Sequence, residues 1–178
     1  MIVLALLLLL LPACRGTTQT ETIKIGLVAP FEGAGRDLAY DVRAGALLAV
    51  QEANAAGGVD GRPVELVALN DDGEPAEAAL QAEKLAVDPA VVGAIAGWSR
   101  ETTEAALPAY AAADLPLVVP VAGSYTLGPA MVQLAPTDAQ LAEMLLGYLR
   151  GQDPAPPVLF DAGPPALRDA VAAALGMP

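Results

Sequence analysis

The segment AGWSRETTEA (96–105) concentrates side chains able to hold a small anion. Ser99 has the chemistry of an N-cap, so a helix starts at Ser99 or Arg100, and the unbonded N–H groups of that first turn form an anion site. Arg100 can grip a carboxylate with two parallel hydrogen bonds. Trp98, the only tryptophan in the chain, sits beside them. The residue three past Ser99 is Thr102, not Glu or Gln, so no full capping box is expected. A plainer arrangement uses the same residues: Trp98 packs beneath its loop and Arg100 bonds Glu104 one turn on.

Three other stretches carry polar groups next to glycine. FEGAGRDL (31–38) holds a partial dinucleotide fingerprint whose third glycine is missing, and a tight turn into a helix explains it as well. NDDGEP (70–75) places Asp71 and Asp72 side by side in a turn, where carboxylates cap or face water. VAGSYTLGP (121–129) offers close backbone approach at Gly123 and hydroxyls at Ser124 and Tyr125. The chain contains no histidine, which removes the commonest metal ligand, the usual general base and any Ser-His-Asp triad. No metal or cofactor is expected. A net charge of −12 speaks against nucleic acid, and a single cysteine excludes an internal disulfide.

The elements that position these loops alternate regularly. Apolar runs at 23–30, 62–71, 91–97, 116–123 and 156–163 read as strands, with a shorter extended piece at 131–137. Between them lie helical patterns at 38–58, 75–88, 99–114, 138–151 and 165–176. In the first, Leu38, Val42, Gly45, Ala46, Ala49, Val50 and Ala53 share helical spacing before Gly57 and Gly58 stop it. Pro108 is expected to kink or break the third. Strands alternating with helices predict an α/β fold, a parallel sheet with helices on both faces in three layers. Ligands then sit beyond the carboxyl ends of the strands, where the quoted loops fall.

The chain opens on an apolar run too short for a bilayer, since spanning takes about 20 residues. Residues 1–13 read as an export signal. The sequence LPAC (11–14) resembles a bacterial lipobox, which implies lipid on Cys14, although residues 1–3 lack the usual positive charge. Residues 14–22 read as a polar tether.

Taken in order, the loops resemble the substrate-binding proteins of branched-chain amino acid ABC transporters. IKIGLVAPFEGAG (23–35), ALPAYAAADLPLVVPVAGS (106–124) and LAPTDAQLAEMLLGYL (134–149) carry the likeness, and AVQEANAAGGVDGRPVEL (49–66) is its most specific piece. Together the likeness spans residues 23–161. The resemblance implies a type 1 periplasmic binding fold, two α/β lobes closing on a ligand, and no enzyme activity. Residues 23–136 would form the N-terminal lobe and 137–178 an incomplete second lobe, as in a shortened form. It further implies an extracytoplasmic, lipid-anchored receptor for amino acids or small carboxylates, working with permease subunits. Trp98, Ser99 and Arg100 would meet the ligand's carboxylate. Val121, Ala122, Gly123 and Ser124 would meet its ammonium, and Phe31 would line the side-chain pocket. Arg100 stands where a small hydroxyl residue is common, which implies a ligand carrying an extra acid or one other than an amino acid. The alternative readings are a dinucleotide-binding oxidoreductase-like domain and a ligand sensor without a transporter.

Overall fold

The computed structural model describes residues 21–126, 128–150 and 165–175. The leader, the tether up to residue 20 and the strand expected at 156–163 lie outside the described residues. Ten elements are defined: β1 (Ile23–Ala29), α1 (Arg36–Ala55), β2 (Val64–Asn70), α2 (Pro75–Ala86), β3 (Val91–Ile95), α3 (Arg100–Ala112), β4 (Leu117–Val119), β5 (Met131–Gln133), α4 (Asp138–Arg150) and α5 (Pro165–Ala174). All strand pairs are parallel, in the order β2-β1-β3-β4-β5. The order reverses between β1 and β3, which makes their carboxyl ends the topological switch point of the sheet.

Side chains alternate across β1 and so build two cores. Val28 faces α2 and α3, where it joins Ala82, Leu85, Ala94, Ala106, Tyr110, Leu117 and Val119. Leu27 and Ala29 face α1 and pack with Ala39, Val42 and Leu66. The second face is the less covered. Between α1 and the sheet runs an apolar groove of about 330 Å³ bordered by Ile25, Val50, Val59 and Val92. Val92 is 44% exposed and Val132, on β5, is 56% exposed.

Helix α2 starts on Pro75, whose fixed φ suits the first turn and whose missing N–H costs nothing there. Helix α3 runs continuously through Pro108 rather than breaking there. The proline removes a hydrogen bond to the carbonyl of Glu104, and both residues lie on the exposed face, where water can take that carbonyl. Among the described residues no helix is long and apolar enough to cross a membrane.

Candidate ligand-binding site

The loop after β1 turns at Phe31. Its backbone N–H donates to Asn70 Oδ1 at 2.8 Å, and its ring meets Tyr40 edge-on with centroids 5.5 Å apart. The glycines of the partial fingerprint, Gly33–Gly35, form a single 3-10 turn leading into α1. From β3 comes Trp98. Its indole N–H donates to the Val28 carbonyl at 2.7 Å, and its ring packs on the same Leu27–Ala29–Ala39 cluster as Phe31. The two aromatic residues named from sequence therefore share one apolar floor at the switch point. Trp98 follows the plainer expectation of packing beneath its loop.

Gly97 precedes it with φ 83°, a left-handed conformation that favours glycine. A Cβ there would also run into the Thr103 side chain. This close approach seats Ser99 over α3. The Ser99 hydroxyl accepts from the Thr102 N–H at 3.1 Å, and Thr102 Oγ1 accepts from the Ser99 N–H at 3.1 Å. A full capping box is thus present, contrary to expectation, because a threonine hydroxyl held in the buried turn accepts the bond that a Glu or Gln side chain usually takes. The Ser99 carbonyl also accepts from Thr103 Oγ1 at 2.6 Å. The hydroxyl of Ser99 is thus committed to the helix. The first-turn N–H groups of Arg100 and Glu101, which have no carbonyl one turn before them, are the donors left for an anion.

Arg100 does not bond Glu104. It donates from Nη2 to Asp138 Oδ1 at 2.8 Å, reaching the first turn of α4. That hydrogen bond and the charge of Asp138 hold the guanidinium above its ordinary value. The Arg100 side chain is 21% exposed and that of Asp138 only 3%. Asp138 Oδ2 is buried and finds no donor among the described residues. The guanidinium carbon also lies 5.8 Å from the centre of the Tyr125 ring. Burial raises the Tyr125 phenol, and the hydroxyl donates to the Ala122 carbonyl at 3.2 Å.

The loop after β4 is drawn in by side chains. Gln133 Nε2 donates to the Gly123 carbonyl at 2.9 Å and to Pro136 at 3.2 Å. The Tyr125 ring lies so close over Gly123 that a Cβ there would collide with it. Of the acceptors expected for an ammonium group, the Ala122 and Gly123 carbonyls each hold one donor already and keep a second lone pair. Val121 is half-buried and Ser124 is exposed. Sequence reasoning did not find Asp138, Gln133 or the ring of Tyr125 over Gly123. The pair Arg100–Asp138 spans 38 residues, a distance no local spacing rule reaches.

Asp71 does not face water. It is 1% exposed, with Oδ1 accepting from the Gly73 N–H at 3.0 Å and Oδ2 without a donor. Burial pushes its carboxyl above the ordinary value, opposed by the Gly73 bond. The larger concavity of about 700 Å³ lies elsewhere, around Leu134, Pro136, Gln140, Glu143 and Met144. It is the outer surface where α4 leaves the sheet, and it offers no cation. Among the described residues no group of three or more His, Cys, Asp or Glu could hold a metal ion.

The profile of the periplasmic binding protein family matches residues 22–175. A curated relative, the leucine-, isoleucine-, valine-, threonine- and alanine-binding protein of Pseudomonas aeruginosa, is 40% identical over 68 residues, which is 38% of this chain and 18% of that protein. The structure is similar to a branched-chain amino acid transporter substrate binding protein from Streptococcus pneumoniae in complex with isoleucine, with TM-score 0.66 and 29% identity over 74% of this chain and 38% of that one. It is also similar to an ABC transporter substrate-binding protein from Desulfitobacterium hafniense, with TM-score 0.74 and 27% identity over 88% and 48%. The chain spans less than half the length of these relatives. With almost all of its described residues inside the matched region, the chain belongs to the periplasmic binding protein family.

Proposed function

We propose that this chain is the ligand-binding part of an extracytoplasmic receptor that delivers amino acids or related small carboxylates to ABC permease subunits. The observation that carries the reading is the convergence at the strand ends of β1, β3 and β4. An apolar floor of Phe31 and Trp98 lies beside the donors at the start of α3, and the carbonyls of 121–124 lie in the loop that follows the next strand, β4. A zwitterion with an aliphatic side chain needs those three surfaces. The family and the names of the relatives support the same reading. No observation favours the oxidoreductase alternative, and no catalytic step is proposed.

A thermal-shift screen across amino acids and small carboxylates tests it. Aliphatic amino acids are expected to raise the melting temperature, increasingly so as their concentration rises. A response confined to nicotinamide or flavin nucleotides would replace this reading with the alternative. We also infer that Cys14 carries lipid, on the strength of LPAC and the polar stretch after it. Cys14→Ser should then release the protein from the membrane fraction, and an intact mass showing unmodified Cys14 would refute the anchor.

A further inference from the structure

We propose that Asp138 is the positioning residue that sets the charge selectivity of the site. By occupying one edge of the Arg100 guanidinium it leaves the site without net charge, suited to zwitterionic amino acids and unsuited to carboxylates that lack an ammonium group. The inference rests on the receptor reading and deepens it. Its observations lie in one cluster. Arg100 is partly open to solvent, whereas Asp138 is closed off behind it. The pair is joined through Asp138 Oδ1 alone, and Oδ2 has no donor. The guanidinium therefore keeps N–H groups for a second acceptor, but its charge is already matched. Glu104 lies close enough to bias the same guanidinium and adds negative charge on that side.

A plain carboxylate approaching Arg100 meets the repulsion of Asp138 together with the attraction of the guanidinium, and the two nearly cancel. An amino acid brings its own cation, for which the unmatched oxygen of Asp138 is a favourable neighbour even without contact. The family resemblance implied that Arg100 marks a ligand with an extra acid or one other than an amino acid. The structure points the other way, because the counter-charge is built in.

The test uses L-leucine and 4-methylpentanoate, the same side chain and carboxylate without the amino group. Binding to the whole chain is read from the Trp98 indole N–H resonance, which follows affinities into the millimolar range. The wild-type protein is expected to bind leucine at least about tenfold more tightly, the order of effect of one charge-assisted contact. In Asp138→Asn, 4-methylpentanoate should gain at least about threefold as the guanidinium is freed, while leucine does not gain. That gain should shrink with added salt, and Asp138→Glu should restore the wild-type preference. Asp138→Ser serves as the second neutral variant if the asparagine variant does not fold. A residue with a structural role alone would weaken both probes together. That result, or an unchanged ratio between them, overturns the proposal and leaves the receptor reading standing. If neither probe moves the resonance in the wild type, the receptor reading fails and takes this proposal with it.

Discussion

The two ends of the candidate site are built by different means. At the switch point between β1 and β3, the contacts are short in sequence or anchored on backbone. Ser99 and Thr102 cap each other three residues apart, and Trp98 hangs on the Val28 carbonyl. At the β4–β5–α4 edge the strands are three residues each, and Leu134, Met144 and Tyr148 are 70%, 64% and 66% exposed. There the loop is shaped by single side chains reaching across, Gln133 to Gly123 and Arg100 to Asp138. Perturbing the first end removes packing and costs stability. Perturbing the second changes charge and donor placement, with a smaller expected cost in stability.

The largest test of that contrast is in the core under α3. Tyr110 is fully buried, and its hydroxyl has no partner among the described residues. Tyr110→Ala should cost about 3–5 kcal/mol, as for other large aromatic truncations. Tyr110→Phe removes only an unpaired polar atom and should be neutral or stabilising. Urea melts of both variants decide the point, and an equal loss in each would reveal a bond to that hydroxyl. Next comes Gly97→Ala, expected to cost about 2 kcal/mol from its positive φ and the contact with Thr103. Ser99→Ala should cost about 1 kcal/mol through the lost cap. At the other end, a double-mutant cycle of Arg100→Leu and Asp138→Leu should give a coupling of only about 0.5–1 kcal/mol, because the arginine is partly exposed. A coupling larger than the Gly97 effect would collapse the contrast.

The smallest effects concern pH, and two aspartates should respond with opposite sign. The folded-state pKa of Asp71 is raised from 3.8, so its contribution is most favourable at low pH and is lost as pH rises through the folded value. Asp71→Asn should keep the turn bond to Gly73 and remove that decline. Asp88 is lowered from 3.8, chiefly by its hydrogen bond from Lys24. Its contribution is present above 3.8 and is lost as pH falls through the folded value. Melting temperatures across acidic pH for Asp71→Asn and Lys24→Ala should tilt in opposite directions, and parallel curves would refute the assignment.

Much of the fold can be read from the chain because each strand and helix announces itself locally. The apolar run of β1, Pro75 opening α2 and the glycines at 57 and 58 that follow α1 all act within a few residues. Three features were hidden. Pro108 looked like a break, but a helix tolerates it where the freed carbonyl faces water, and exposure depends on packing. Thr102 did not look like a capping partner, because the usual rule counts carboxylates and amides rather than a buried hydroxyl. Asp71 was expected to cap the turn or face water; it accepts from the Gly73 N–H but is folded inward and buried. At the candidate site, Trp98 and the start of α3 could be singled out from loop position and residue type, and Phe31 only from the family resemblance. Asp138 could not be, since its contact with Arg100 brings together the first residues of α3 and α4, 38 positions apart.

One titration tests the central claim that these strand ends form a ligand site. Trp98 is the only tryptophan, so its fluorescence reports the floor of the site without a label. A closed cleft buries most of a small ligand, and micromolar affinity needs about 8 kcal/mol. The surfaces described here cover only one side of a ligand. Titration of the chain with L-leucine is therefore predicted to change Trp98 emission saturably, with a dissociation constant in the millimolar range, and glycine should act more weakly. A flat signal for every aliphatic amino acid would contradict the account, because the floor of Phe31 and Trp98 would then serve packing alone.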